Sequence, residues 1–385
     1  MTSALIPAWV VENQTRWGLD VVVSINQNAR DRAALESVCY PADIAYLLDG
    51  PTFPVADGGS AVKAAVLRGL VEARMQVVAV VCDWGVDHYQ EYLNLGLQII
   101  LVPPCEYYSE ALFGSVLRSI APRYVIADSI ETLGRAIQNV EASRIVALLL
   151  DDFAATAQMR REPKERVEAA HRVLRLLCDG GSTLLVRNSS ARLGLESACR
   201  GTVLPLDGID ICSSRASSCS PKGDCVVLAN CMYPPNQSAI WELANSSRRS
   251  KGLSVVGPID RGFSEDLTAI GITVYGYVDD PHEILSLCSV GIDPAMVGSG
   301  TSTKILTYCS LGIPTVATSF AVRGLSSELR KNVLTGPEPD SLWHVVDKLL
   351  LDYETARSRA SSARSVIESS YDIAREVVGL VDALR

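Results

Sequence analysis

Short apolar runs alternate along the chain with longer segments in which apolar residues recur every three or four positions. The short runs are typical of buried strands, and the longer segments are typical of amphipathic helices. Strands are predicted at 19–25, 43–49, 76–82, 97–102, 123–128, 144–150 and 183–189, and then at 225–230, 253–257, 272–278, 289–293 and 313–319. Helices are predicted at 60–74, 109–120, 129–139 and 163–178, and through most of 339–385. This alternation predicts parallel sheets covered by helices.

A polar segment rich in serine and cysteine, 208–224, interrupts the pattern and is predicted to be a linker. A chain of 385 residues is also long enough for two domains, each with its own core. We therefore predict an α/β protein of two Rossmann-like domains, 43–207 and 225–362, whose parallel sheets face a cleft. Residues 1–42 are predicted to be an extension packed on the first domain, and 363–385 a C-terminal helix that crosses back to it.

The composition narrows the classes of function. The net charge of −9 argues against a nucleic-acid-binding protein, which needs a basic surface. It also argues against strong adsorption to an anionic membrane, although a local basic patch leaves peripheral membrane contact open. The opening residues lack the pattern of a signal peptide, and no apolar run is long enough to cross a bilayer. We therefore predict a cytoplasmic protein.

The eleven cysteines could in principle form a metal site. Four of them are close in sequence but contain no Cys-x-x-Cys pair: Cys212, Cys219, Cys225 and Cys231. An odd total without a secretion signal predicts reduced, mostly buried thiols. We predict no metal and no resident cofactor.

The stretch VGSGTSTKILTYCSLGIPTVAT, 297–318, carries the clearest candidate chemistry. The preceding strand ends at Asp293 and the next helix is predicted to begin near Ser302, so this loop lies at the carboxyl edge of a parallel sheet, where ligands bind. Free amides and the helix dipole at such a helix opening favour a phosphate group. Hydroxyl groups and a lysine match a diphosphate. The predicted contact residues are Gly298, Ser299, Gly300, Thr301, Ser302, Thr303 and Lys304. The alternative is a simple turn in which Thr301 or Ser302 caps the helix.

Residues 272–325 resemble the donor-binding half of GT-B glycosyltransferases of family 4, the glycosyl transferases group 1. That family carries a Gly-x-Gly-Thr-x-x-Lys motif, then a hydrophobic residue and Leu-Glu, and later a Gly-x-Pro-Val-Val-x-Thr strand. Residues 228–243 resemble its first donor-domain strand and Tyr-x-Pro-Asn turn, and 57–81 its first glycine loop and helix. Residues 184–210 resemble the end of its acceptor domain, and YDIAREVVGLVDAL its final helix.

The resemblance implies a nucleotide diphosphate sugar bound between the domains, with Lys304 countering the diphosphate as it leaves. It implies that Tyr277 and Val278 contact the nucleobase and that Asn230 contacts the donor. An ordinary strand aromatic is the alternative for Tyr277. On the first domain it implies contact with donor and acceptor at Gly58, Gly59 and Ser60, for which a turn with a helix cap is equally compatible. Asp151 and Asp152 are candidates to contact an acceptor hydroxyl, or to cap the following segment.

One position departs from the family motif. Thr307 stands where the family has the glutamate that commonly holds the donor ribose. The resemblance as a whole implies a hexosyltransferase-type enzyme that transfers a sugar to a glycan, lipid-linked or protein acceptor, with retention and without a metal. The alternative is a catalytically degenerate GT-B module that binds a nucleotide or glycan for a partner protein.

Overall fold

The computed structural model describes residues 22–24, 42–48, 52, 58–82, 89–102, 110–150, 153–159, 162–187, 189–209, 222–278, 280–298 and 300–385. The strands of the first half are β1 Val22–Ser24, β2 Ile44–Leu48, β3 Val77–Cys82, β4 Gln98–Val102, β5 Tyr124–Ala127, β6 Ile145–Leu149, β7 Thr183–Val186 and β8 Val203–Pro205. Its helices are α1 Gly58–Glu72, α2 Tyr89–Asn94, α3 Glu110–Ile120, α4 Ile130–Asn139, α5 Phe153–Met159, α6 Lys164–Asp179 and α7 Ser189–Ala198.

The second half, from Cys225 onward, contains six further strands and eight further helices among the described residues. Its strands are β9 Cys225–Leu228, β10 Leu253–Val256, β11 Thr273–Gly276, β12 Val290–Asp293, β13 Thr315–Thr318 and β14 Leu334–Gly336. Its helices are α8 Pro234–Ala244, α9 Arg261–Ala269, α10 His282–Ser286, α11 Thr303–Ser310, α12 Ser327–Arg330, α13 Leu342–Leu351, α14 Tyr353–Ser370 and α15 Ile373–Leu384.

The described strands of the first half form one parallel sheet in the order β1-β4-β3-β2-β5-β6-β7-β8. The strands β2, β3 and β6 are buried and apolar throughout, because helices cover both faces of the sheet. Along β2, for example, Tyr46 packs into one core cluster, whereas Ala45 and Leu47 pack into the cluster on the opposite face. The last helix, α15, belongs to this half, since Val377 and Leu380 lie in the same cluster as Tyr46.

The second half forms a six-stranded parallel sheet among the described residues, in the order β11-β10-β9-β12-β13-β14. Trp343 of α13 is fully buried on this sheet, and its indole N–H donates to the Leu243 carbonyl at 2.8 Å. Helix α11 packs between the sheet and α14, with Ile305 and Cys309 in one cluster with Ile367. The predicted α/β class with two parallel-sheet domains is confirmed.

The two halves meet at a short pairing that we call the strap, residues 207–209 and 371–373. The Ile209 amide donates to the Tyr371 carbonyl at 2.9 Å, and the Ile373 amide donates to the Ile209 carbonyl at 3.3 Å. The chain leaves α14 at Ser370 and begins α15 at Ile373. The domain boundaries, including that of the crossing helix at 363–385, stay predictions.

The cysteines differ in part from the expectation of reduced thiols. Cys178 and Cys199 form a disulfide, because the end of α6 and the end of α7 bring their Cα atoms within 4.2 Å. The free cysteines among the described residues are buried, as predicted: Cys82, Cys225, Cys231, Cys288 and Cys309. Burial raises the pKa of the Cys225 thiol to about 12 and that of Cys231 to about 11, which makes both poor nucleophiles at neutral pH.

Among the described residues, no cluster of three or more His, Cys, Asp or Glu could hold a metal ion. None of the helices in the described part of the chain is long and apolar enough to cross a bilayer.

Candidate functional site

The candidate site lies where the connection direction of the second sheet reverses, between β9 and β12. The two strands pair only at their start, where Val290 faces Cys225 and Gly291 faces Val226. Beyond that point the buried Tyr308 hydroxyl lies between them, accepting from the Leu228 amide at 2.6 Å and donating to the Ile292 carbonyl at 3.4 Å. The Tyr308 ring fits because Gly291 has no side chain: a Cβ there would lie 2.4 Å from the ring. The strands therefore part at their carboxyl ends, which is where a parallel sheet binds ligands.

Helix α11 begins directly above this opening. Ser302 is its N-cap, and the Ser302 hydroxyl accepts from the Ile305 amide at 3.4 Å. The same hydroxyl donates to Asp293 Oδ2 at 2.5 Å. The amides of Thr303 and Lys304, one and two residues into the helix, lack intrahelical partners by geometry and carry the positive end of the helix dipole. The opening of α11 is thus suited to an anion.

Lys304 lies at the centre of the site. Its ammonium donates to Asn236 Oδ1 at 3.1 Å and to Asp293 Oδ1 at 3.4 Å. Asn236, in the first turns of α8, in turn donates through Nδ2 to the Asn230 carbonyl at 2.9 Å. Only 18% of the Lys304 side chain is exposed, so the protein fixes the position of this cation at the helix opening.

The glycine loop before α11 is held in place from two directions. The buried Thr301 hydroxyl is within hydrogen-bonding distance of two acceptors, the Gly324 carbonyl at 3.1 Å and Asp207 Oδ1 of the strap at 3.3 Å. A Cβ at Gly324 would lie 2.8 Å from Thr301 Cα, so the loop after β13 packs directly on the glycine loop. Gly298 has φ +143°, a conformation that favours glycine, and the space beside it is open. The glycine loop is therefore packed against the protein at Thr301, whereas the space beside Gly298 is open.

The remaining donor-side candidates lie around this centre. The Asn230 side chain accepts from the Met232 amide at 3.0 Å, which starts the turn into α8. Tyr277 and Val278 follow the edge strand β11, where Tyr277 is 43% exposed and Val278 packs against the core. The Thr307 hydroxyl donates to the Thr303 carbonyl within α11 at 2.9 Å.

The first sheet has its own reversal point, between β2 and β5, and a lysine–aspartate pair lies there. Helix α1 begins at Gly58, so Ser60 lies inside the first helical turn and is not a cap. One turn further, Lys63 pairs with the buried Asp128, which follows β5, at 2.5 Å. The predicted positions Asp151, Asp152 and Ser299 lie outside the described residues.

A second group of charged residues lies at and beside the strap: Asp207, which is buried, and Glu376 and Arg192, which are half-buried. The carboxylate of Glu376 on α15 accepts from the Asp207 amide at 3.1 Å and from the Gly208 amide at 2.9 Å. The pKa of Glu376 is raised to about 7: burial raises it most, the Gly208 amide lowers it, the neighbouring Asp207 carboxylate raises it, and the Arg187 cation lowers it. Arg192 pairs with Asp207 at 3.5 Å. Since Asp207 also contacts Thr301, the strap contacts the glycine loop before α11.

Sequence reasoning missed several of these residues. Asp293 had a usable signal, because an acidic residue in an otherwise apolar strand end, followed directly by proline, is unusual for a core strand. Asn236 had a signal as the last residue of the Tyr-x-Pro-Asn turn, although nothing local indicated its contact with Lys304. Asp128 had none, since its partner Lys63 is far away in sequence. Glu376 resembles any polar position of an amphipathic helix, so only the fold reveals that it faces the strap.

Comparisons with known proteins were made by sequence and by structure. No protein-family model matches the sequence, and the search of curated proteins finds no match. By structure, the chain is similar to sucrose-phosphate synthase from Thermosynechococcus elongatus, with a TM-score of 0.70, 12% identity, and coverage of 89% of this chain and 99% of that one. It is similar to Anabaena HepE in complex with UDP-glucose, with a TM-score of 0.68, 15% identity, and coverage of 88% and 99%. It is also similar to WaaG, a glycosyltransferase involved in lipopolysaccharide biosynthesis, with a TM-score of 0.65, 14% identity, and coverage of 89% and 99%. The chain therefore has the GT-B fold, and the assignment to family 4 stays a prediction.

Proposed function

We propose that this chain is a glycosyltransferase that moves a sugar from a nucleotide diphosphate sugar to an acceptor hydroxyl, with retention and without a metal. The observation that supports it most directly is the opening of α11 at the reversal point of the second sheet, with Lys304 fixed beside the free helix amides. Helix amides and a fixed cation together match a diphosphate better than they match a neutral ligand.

The chemistry of the site fits the departure of a diphosphate. When the bond between sugar and phosphate breaks, negative charge develops on the leaving oxygen. The Thr303 and Lys304 amides and the Lys304 ammonium are positioned to stabilise that charge without reorganising, which is how preorganised donors lower a barrier. Anabaena HepE, a structural neighbour, is known in complexes with UDP and UDP-glucose. A uridine donor is therefore the first to test here.

The acceptor side of the proposal rests on the first sheet. Lys63 and the buried Asp128 lie at its reversal point, near the helix that begins at Gly58. Gly58, Gly59 and Ser60 stay predicted contacts of the donor, and Asp151 and Asp152 stay predicted contacts of the acceptor. We propose a glycan, lipid-linked or protein hydroxyl as the acceptor, reached in the cytoplasm.

One observation favours a second candidate, a nucleotide-binding module without transferase activity. Thr307 donates its hydroxyl proton to the helix carbonyl of Thr303 and supplies no carboxylate where family 4 has one. If that carboxylate is required for turnover, the chain would bind a nucleotide and leave the sugar intact.

Titration calorimetry with UDP, GDP and ADP, followed by hydrolysis assays with UDP-glucose, GDP-mannose and ADP-glucose, tests both candidates. We expect one diphosphate to bind, and Lys304→Met to weaken that binding at least about tenfold, because it removes a fixed cation. Lys348→Met, which removes an exposed lysine from α13, is the control and should bind as wild type. Binding with hydrolysis supports the transferase, and binding without turnover favours the module. Unchanged affinity in Lys304→Met, or no binding of any diphosphate, would contradict the site.

A further inference from the structure

The proposed diphosphate site has a negative charge built into its floor. Asp293, the last residue of β12, is fully buried directly beneath the opening of α11. A buried carboxylate is unfavourable unless it is paired and hydrogen-bonded, and here it also repels the anion that the helix opening attracts. A buried carboxylate that opposes anion binding at this position therefore requires a physical explanation.

The hydrogen bonds at Asp293 are those of an ionised carboxylate. Oδ2 accepts from the Ser302 hydroxyl at 2.5 Å, and Oδ1 accepts from the Lys304 ammonium at 3.4 Å and from the Ala295 amide at 3.2 Å. All three groups donate to Asp293, and one of them is the Lys304 cation, so the contacts match those of a carboxylate. The negative charge is therefore part of the site.

Lys304 is shared. A lysine ammonium has three N–H groups, and two of them meet the acceptors Asp293 and Asn236. A diphosphate at the helix opening would take the third, on the side away from Asp293. Part of the attraction between Lys304 and the ligand is then offset by repulsion between the ligand and Asp293.

We propose that Asp293 sets how tightly the site holds a diphosphate: its carboxylate positions Lys304 and Ser302 and at the same time weakens the grip on the nucleoside diphosphate, so that this product can leave. The proposal rests on the proposed function, since it assumes that a diphosphate binds at α11. It makes Asp293 a positioning residue that acts through Lys304, and it predicts a gain of affinity when the charge is removed.

The test compares UDP binding by wild type, Asp293→Asn and Asn236→Asp, with titration calorimetry for the dissociation constant and stopped-flow displacement for the dissociation rate. The contact between Asp293 and Lys304 and a contact between Lys304 and a phosphate, each of about 3 Å, would place the phosphate about 6 Å from the carboxylate. At that distance, with a dielectric constant between those of water and of the protein surface, the repulsion raises the Kd of UDP about tenfold. We therefore expect Asp293→Asn to bind UDP about tenfold more tightly, mainly through slower dissociation, and to gain less for UMP. Asn236→Asp adds a second carboxylate beside Lys304 and should weaken UDP binding by a similar factor.

Two controls separate charge from structure. Ser302→Ala removes the helix cap but leaves the carboxylate, so UDP should bind no more tightly than to wild type. Asp266→Asn removes an exposed carboxylate from α9 and should change nothing. A purely structural role for Asp293 predicts weaker binding, with lower thermal stability, in Asp293→Asn.

The outcomes are distinct. Unchanged or weaker UDP binding by a folded Asp293→Asn variant, while wild type binds UDP, overturns this inference and leaves the proposed function standing. If Asp293→Asn does not fold, Asn236→Asp decides, and affinity equal to or above wild type overturns the inference. If wild type binds none of UDP, GDP and ADP, the proposed function fails and this inference fails with it.

Discussion

Replacing Glu376 with glutamine should remove a pH dependence of stability that originates at the strap. Glu376 lies on α15, and its carboxylate accepts from the Asp207 and Gly208 amides. Burial is the main reason that its pKa is raised from the ordinary value of 4.5 to about 7. Because the folded protein holds this proton more tightly than the unfolded chain does, the stabilisation is complete below pH 4.5 and is lost as the pH rises through 7.

The magnitude follows from the difference between the two pKa values. A difference of about 2.5 units at 1.36 kcal/mol per unit gives about 3 kcal/mol of free energy of unfolding lost between pH 4.5 and 7. The isoelectric point near 5.1 makes the lower end of this range poor for solubility. Between pH 5.5 and 8, about 2 kcal/mol of the effect should remain measurable.

The assay is urea unfolding followed by circular dichroism across that pH range, with wild type minus Glu376→Gln as the quantity of interest. The difference should fall with a slope approaching 1.4 kcal/mol per pH unit at the acid end and flatten above pH 7.5. Asp382→Asn removes an exposed carboxylate from the same helix and should leave the wild-type slope unchanged. A difference curve that is flat from pH 5.5 to 8 would refute the burial argument, since it would mean that Glu376 titrates alike in the folded and unfolded protein.

Two further predictions concern packing. Tyr308→Phe leaves the Leu228 amide without its buried acceptor, so urea unfolding should show a loss of about 1–3 kcal/mol, and a variant as stable as wild type would contradict the bridging role of this hydroxyl. Gly208→Ala places a Cβ 2.5 Å from the Ile373 backbone nitrogen and should cost about 1–3 kcal/mol. Gly379→Ala, on α15, meets nothing within 4 Å and should be neutral or stabilising by up to about 1 kcal/mol. Equal effects of the two would show that the close approach at the strap does not matter.

Much of the fold follows from local pattern. The strand at 289–293 and the helix predicted near Ser302 are confirmed because a buried apolar run and a capping hydroxyl are both encoded within a few residues. The short strands β8 and β14 were missed: β8 is only partly buried, and neither has a clear apolar run, so their pairing depends on neighbours distant in sequence.

The site divides in the same way. The glycine loop and Lys304 could be predicted because a strand, a loop and a helix opening follow one another directly along the chain. The contacts of Asn236 with Lys304 and of Asp207 with Thr301 could not be predicted, because each comes from a different element, 68 and 94 residues away from its partner. Local sequence encodes which group can bind an anion, whereas the packing of distant elements decides how that group is oriented and neutralised.

Lys304 illustrates what this difference means for interpretation. A cation in the first turn of a helix is electrostatically unfavourable, which from sequence alone favours a role in ligand binding. The structure supplies a second reason for the lysine, because the buried Asp293 carboxylate needs a counter-charge. Removing Lys304 therefore leaves an uncompensated buried charge, and such a change typically destabilises a protein by several kcal/mol, about 3–5 where the pair is fully buried.

Lys304→Met should accordingly lower the melting temperature as well as the affinity for a diphosphate. In the double variant Lys304→Met with Asp293→Asn, stability should return because the buried charge is gone. UDP should still bind at least about tenfold more weakly than to Asp293→Asn alone, because the cation is missing. An affinity equal to that of Asp293→Asn would show that Lys304 acts only as the partner of Asp293.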